Sequence, residues 1–168
     1  MVIQYDAPVK NMLAYGKHQF VACDRTLEIY FVGCSNNCSG CQNYFLKERK
    51  NNPMCEWVSP EEILERLLDY ADIAKQVHIL GGEPLEQNLD AINKLCKLLK
   101  EVGFHDIILF TGLKIDPEQI LKTKIPFEYV DYVKTGPYDP TQPNTDKVKD
   151  ELTGIILATT NQKIYKVK

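Results

Sequence analysis

Apolar and polar positions along this chain switch between a period of two and a period near 3.6, and the switches mark its elements. Residues 27–32, Leu-Glu-Ile-Tyr-Phe-Val, are rich in branched and aromatic side chains and predict a buried strand that stops at Gly33. Residues 20–22 form a candidate short strand ahead of it. Ser59-Pro60-Glu61-Glu62 supplies an N-cap, a proline for the first helical turn and a capping-box carboxylate. Ile63, Leu64, Leu67, Leu68 and Ala71 then recur at helical spacing and predict one buried face. Residues 77–80 predict a second strand, broken by Gly81-Gly82-Glu83-Pro84. A second helix follows, with Leu89, Ile92, Leu95, Leu99 and Val102 on its apolar stripe and Gly103 at its end. Residues 107–110 predict a third strand running into Thr111-Gly112, and Asp116-Pro117-Glu118-Gln119 opens a shorter helix. Residues 129–133 predict a fourth strand, ended by Thr135-Gly136-Pro137-Tyr138.

Strands alternating with amphipathic helices imply crossover connections and a largely parallel α/β sheet with helices outside it. A complete eight-unit barrel needs about 250 residues, so 168 residues predict an incomplete, TIM-like partial barrel in a single domain spanning 1–168. In such sheets ligands gather where the strands end. The loops after residues 32, 80, 110 and 133 would all lie on that one rim.

Composition narrows the class of partner. Apolar residues make up 44% and charged residues 26%, which is that of a folded globular chain. A net charge of -3 argues against a nucleic-acid duplex as the main partner. Lys147, Lys149, Lys163, Lys166 and Lys168 make the end locally basic, which reads as a solvated face. Residues 1–10 alternate apolar with polar and lack a secretory h-region, and no apolar run reaches membrane-spanning length. The expectation is a cytoplasmic protein whose six cysteines stay thiols or metal ligands. Cys96, among the leucines of the second helix, reads as a packing residue, and Cys23 and Cys55 are most simply the same.

Candidate chemistry concentrates in Gly33-Cys34-Ser35-Asn36-Asn37-Cys38-Ser39-Gly40-Cys41. Cys34, Cys38 and Cys41 can close on one metal centre, and thiolates select iron-sulfur clusters, zinc or copper(I). Zinc sites usually pair C-x2-C with a second pair, whereas this local set stops at three. A four-iron cluster held this way keeps one iron without a protein ligand. A zinc knot completed by Cys23, Cys55 or His78, and a plain electron-transfer cluster, are the alternatives. After the second strand, Gly81 and Gly82 expose backbone polar groups to a ligand, and Glu83 adds a negative charge beside it. Taken alone, Gly-Gly-Glu-Pro would equally be a strand end followed by a helix start.

The C-x3-C-x2-C spacing resembles that of the radical S-adenosylmethionine (SAM) superfamily. The order of further segments is similar to the anaerobic ribonucleoside-triphosphate reductase activating proteins, from about residue 27 to 167. These segments are Cys41-Gln42-Asn43, Gly81-Gly82-Glu83-Pro84-Leu85, Phe110-Thr111-Gly112-Leu113, Val133-Lys134-Thr135-Gly136-Pro137-Tyr138 and Thr159-Thr160-Asn161-Gln162-Lys163-Ile164. The resemblance implies a 4Fe-4S cluster on Cys34, Cys38 and Cys41, with SAM on the open iron. It implies that the backbone around Gly40, Cys41 and Gln42 lies along SAM, and that Gly81, Gly82, Glu83 and Pro84 hold the methionyl end. The implied activity is reductive cleavage of SAM to a 5'-deoxyadenosyl radical, which takes hydrogen from a glycine of the anaerobic (class III) ribonucleotide reductase. It further implies an electron donor such as a flavodoxin or ferredoxin. A radical SAM enzyme acting on a small molecule, such as a deazapurine synthase, would share the same loops.

The chain departs from the activating-protein pattern in three places. Gln42 stands where an aromatic residue usually follows the third cysteine, with Tyr44 and Phe45 slightly beyond. Cys23-Asp24-Arg25-Thr26 does not reproduce the expected Gly-Pro-Gly-x-Arg, and Thr135 replaces a frequent acidic residue. His18, His78 and His105 need no catalytic role; His78 reads as a sheet-face residue and Asp131 as a solvated or structural carboxylate.

Overall fold

A computed structural model describes residues 11–122 and 125–167. The readings made on residues 1–10 and on Lys168 lie outside the described residues. Ten elements matter here: strands β1 (Leu13–Val21), β2 (Thr26–Phe31) and β3 (Glu56–Val58), helix α1 (Pro60–Leu67), β4 (Gln76–Gly81), α2 (Leu89–Glu101), β5 (Asp106–Phe110), α3 (Pro117–Lys122), β6 (Tyr132–Thr135) and β7 (Lys163–Lys166).

Seven strands form one open sheet in the order β3-β1-β2-β4-β5-β6-β7. The central strands β2, β4, β5 and β6 are parallel neighbours, as alternation with helices requires. Both flanks are antiparallel, with β1 beside β2 and β3, and β7 beside β6. The expected parallel sheet is therefore a mixed one, parallel only at its centre. The candidate strand at 20–22 is the end of the nine-residue β1, whose middle carries Gly16, Lys17 and His18 and shows no clean alternation. β3 is three residues long and β7 four, too short for a periodic pattern.

Within the central strands, period-two alternation splits the side chains cleanly. Leu27, Ile29, Phe31, Val77, Ile79, Ile107, Leu109 and Val133 belong to one core cluster, with Ile63, Leu67, Leu95 and Leu99 of α1 and α2. Ser59 caps α1 through the full capping box, and Asn88 caps α2 by accepting from the Ala91 amide at 2.9 Å. Neither helix follows its expected stripe to the end. Leu68 is 47% exposed because α1 gives way to a 3-10 turn at Leu68–Tyr70, and Leu89 and Val102, at the two ends of α2, each stay 37% exposed. Pro84 opens a 3-10 turn, Pro84–Glu86, rather than the helix itself. The expected strand at 129–133 begins later, at Tyr132, after a 3-10 turn at Phe127–Tyr129. No helix among the described residues is long and apolar enough to cross a membrane.

Residues 138–162 leave the rim and double back on themselves, with bridges Pro143 to Thr159 and Lys149 to Ile156. This strap reaches the far end of β4, where the Gln76 side-chain amide donates to the Thr153 carbonyl at 2.8 Å.

Candidate metal centre and cleft

The parallel strands end at Phe31, Gly81, Phe110 and Thr135, and the loops that follow enclose one cleft of about 270 Å³. Cys34, Cys38, Cys41, Gln42, Gly81, Gly82 and Glu83 all line it, so the structure brings together most of the residues expected there. Gly40 is exposed at a backbone φ of +69°, where an added Cβ would meet only the Tyr138 ring at 3.6 Å. Pro84 is buried and does not line the cleft.

Hydrogen bonds to its neighbours fix the cysteine loop before any metal is considered. The Gly33 amide donates to the Leu46 carbonyl at 2.7 Å and the Cys34 amide to the Lys47 carbonyl at 3.0 Å. The Ser35 amide donates to both Glu86 carboxylate oxygens, at 3.1 and 2.9 Å, and its hydroxyl bonds the same group. The Asn36 side chain donates to Glu83 Oε2 at 3.1 Å. Glu83 is fully buried and also accepts from the Gly112 amide at 2.8 Å and the Leu85 amide at 3.1 Å. Burial pushes its carboxyl up, and these donors pull it back. One carboxylate thus ties three loops of the rim together, a role the sequence reading did not give it.

The glycines answer to the protein as well as to any ligand. A Cβ on Gly82 would collide with the Gly33 backbone, and one on Gly81, at φ +118°, would lie 2.5 Å from the Phe31 nitrogen. A Cβ on Gly33, at φ +112°, would strike the Arg49 guanidinium, which donates to the Val32 carbonyl at 2.9 Å and the Glu86 carbonyl at 2.8 Å. Close packing of two rim loops is reason enough for Gly81-Gly82.

The three thiols suit a cluster. All three cysteines are free and face one space, and a soft donor set of this kind takes iron-sulfur. Burial pushes the Cys34 thiol up to about 11, with Glu83, Glu86 and Cys38 adding to the effect against the Asn36 backbone, so a metal must displace its proton. Among the described residues no three His, Cys, Asp or Glu are gathered tightly enough for a single ion. Of the residues weighed as a fourth zinc ligand, Cys23 is exposed in the turn before β2, at the opposite end of that strand from Cys34. The His78 ring lies tilted against Phe110 with centroids 4.8 Å apart, and neither His78 nor Cys55 lines the cleft.

Two groups of lining residues went unread in the sequence. Lys134 is half-buried in the cleft, donates to the Gly136 carbonyl at 3.2 Å, and is brought down to about 8 by burial against the pull of Glu83 and Cys38. A lysine inside an apolar strand, one residue from its end at the rim, was the available clue. Ile155, Ile156, Leu157 and Ala158 of the strap supply an aliphatic wall, and nothing local in the sequence marks them. Gln42 lines the cleft, whereas Tyr44 and Phe45 do not.

A family model described as a 4Fe-4S single cluster domain matches residues 24–155, which take in all three cysteines and all four central strands. The chain belongs to that family. No curated protein matches it. In fold, this 4Fe-4S single cluster domain is similar to the crystal structure of QueE from Escherichia coli, with a TM-score of 0.50 at 16% identity. That match covers 66% of this chain and 61% of QueE, so the likeness spans less than two thirds of the QueE chain.

Proposed function

We propose that the chain is a radical SAM enzyme, and that its substrate is a glycine of an anaerobic ribonucleotide reductase. Three cysteines converging on the cleft that also holds Gly81, Gly82 and Lys134 is the observation that carries this reading. A 4Fe-4S cluster held by Cys34, Cys38 and Cys41 would supply the electron for reductive cleavage of SAM to methionine and a 5'-deoxyadenosyl radical.

The chain's own part is to bind, orient and exclude. Cys34, Cys38 and Cys41 would hold the cluster in a loop already anchored by Glu83, Glu86 and the 43–47 turn. Lys134 is a cation in the cleft and would take the SAM carboxylate, whose charge would restore the ammonium that burial disfavours. Leu80, Phe110, Ile155, Ile156 and Leu157 offer an apolar surface for the adenine and keep water from the reacting carbon. The mouth between the cysteine loop and the strap would admit a glycine-bearing loop, and the partner would complete the wall.

Anaerobic reconstitution with iron and sulfide, then dithionite and SAM with and without a candidate reductase, tests this reading. It predicts 5'-deoxyadenosine together with a glycyl radical visible by electron paramagnetic resonance on the reductase. Deoxyadenosine without a protein radical would favour a second reading, a small-molecule enzyme such as a deazapurine synthase. Absence of deoxyadenosine would leave only a cluster that carries electrons.

A further inference from the structure

Three residues past Cys41 the chain turns its apolar side chains outward. Tyr44 is 72% exposed and Phe45 38%, their rings set edge to face at 5.8 Å, and neither lines the cleft. Lys17, from the middle of β1, places its ammonium 4.8 Å from the Tyr30 ring centroid and 5.8 Å from that of Phe45. Between Gln42 and Asn52 the chain carries Lys47, Arg49 and Lys50 against one carboxylate, Glu48, although the whole chain has a net charge of -3. Arg49 is turned inward to the Val32 and Glu86 carbonyls, and Lys47 lines the cleft with its ammonium on Asn37 Oδ1 at 3.5 Å, which leaves Lys17 and Lys50 against Glu48 on this face.

The turn that carries these aromatics is bonded to the cysteine loop itself. Leu46 is fully buried, its carbonyl accepts from Gly33, and the Lys47 carbonyl accepts from Cys34. From Phe45 to the first cysteine there is one peptide unit, one hydrogen bond and one more residue. The other side of the cysteine loop faces the cleft, where SAM and substrate must lie. An electron delivered by a protein therefore has to come through an outer surface, and this one is joined to the loop by two backbone hydrogen bonds.

We infer that the Tyr44–Phe45–Lys17 face is the docking surface for a small acidic protein that carries one electron at a time. The inference rests on the radical reading above, which requires such a donor. In the transfer the carrier loses one electron and the cluster gains it, with no bond made or broken and no atom exchanged. The exposed aromatic pair is the anchor, in the manner of interface hot spots. The lysines select an acidic partner and speed the encounter.

Binding is measured with flavodoxin as the probe, on the cluster-free chain, where no activity is involved, and then by flavodoxin-driven and dithionite-driven deoxyadenosine formation in the loaded protein. Tyr44→Ser, at an exposed position that does not line the cleft, is expected to weaken flavodoxin binding by about tenfold. Adding Lys17→Glu should weaken it further and flatten its salt dependence. Flavodoxin-driven turnover should fall in step, while the dithionite-driven rate stays at that of the unaltered protein. Unchanged flavodoxin binding in both variants, or no binding to the unaltered chain, would overturn the inference. So would loss of reductase binding with flavodoxin binding intact, which would assign this face to the protein substrate. If dithionite gives no deoxyadenosine in any form, the radical reading fails, and the binding arm still reports on the surface.

Discussion

The two faces of the central sheet are made from alternate residues of the same strands, and they do different work. Toward the helices stand Leu27, Ile29, Phe31, Val77, Ile79, Ile107, Leu109 and Val133, all but one of them completely buried. Toward the cleft and the strap the same strands present Glu28, Tyr30, His78, Leu80, Ile108, Phe110, Tyr132 and Lys134. The first face is uniform in chemistry and needs only volume and apolarity. The second mixes a carboxylate, an imidazole, an amine and aromatics, and Glu28, Tyr30, His78 and Lys134 each have a named partner. Tyr30 donates to Glu28 at 2.7 Å, His78 and the Gln76 side chain lie 3.2 Å apart, and Lys134 reaches Gly136. One face holds the fold, and the other holds what the fold is for.

Breaking each face separately sharpens the contrast. The largest effect is expected from Cys38→Ala, which should abolish iron incorporation, read as iron per chain and cluster absorbance, while barely moving the thermal midpoint of the cluster-free protein. Leu95→Ala on the helix side should do the reverse. Leu95 is fully buried in the main core, so truncation should lower stability by about 2–5 kcal/mol in denaturant unfolding, with normal iron content in the molecules that fold.

The cleft face should also be sensitive to acid. Burial lowers the His78 imidazole to about 4, against the opposing influence of Glu28 and Asp24. The unfolded chain takes up this proton below about pH 6.5 and the folded chain only near pH 4. Between those values the unfolded state binds more protons, so the contribution is complete above pH 6.5 and is lost as pH falls toward 4. The loss amounts to about 3 kcal/mol. His78→Phe should flatten that limb of the pH–stability curve measured by urea titration, and an unchanged slope would assign the acid lability elsewhere. A smaller effect, about 1–2 kcal/mol, is expected for Asn36→Ala, which removes one donor from Glu83. Its clearer sign should be a cysteine loop with faster amide hydrogen exchange.

The same contrast decides what the sequence could disclose. Ile63, Leu67, Ile92, Leu95 and Leu99 sit where their helical spacing placed them, because the helical face is selected by apolarity alone and apolarity has a period. The cysteines and Gly81-Gly82-Glu83 were legible as a short motif after each strand, and the cleft gathers them. What stayed hidden depends on distance in the chain. Glu83 as the tie between loops needs Gly112 and Asn36, 29 and 47 residues away. The strap reaches Gln76 from Thr153, 77 residues on. β1 escaped notice beyond its last residues because it carries Gly16, Lys17, His18 and Gln19 and runs antiparallel, outside the strand-helix alternation that identified the rest. Leu89 and Val102 broke their stripe because helix ends run past the surface they pack on.

Radical chemistry at this centre needs an iron that no side chain holds. The direct measurement is the Mössbauer spectrum of the 57Fe-reconstituted protein before and after SAM is added. Three cysteine ligands predict that one iron site of the four changes its isomer shift toward higher coordination while the other three stay as they were. Four sites unmoved by SAM would show that SAM does not coordinate the cluster, and would contradict the proposed radical chemistry.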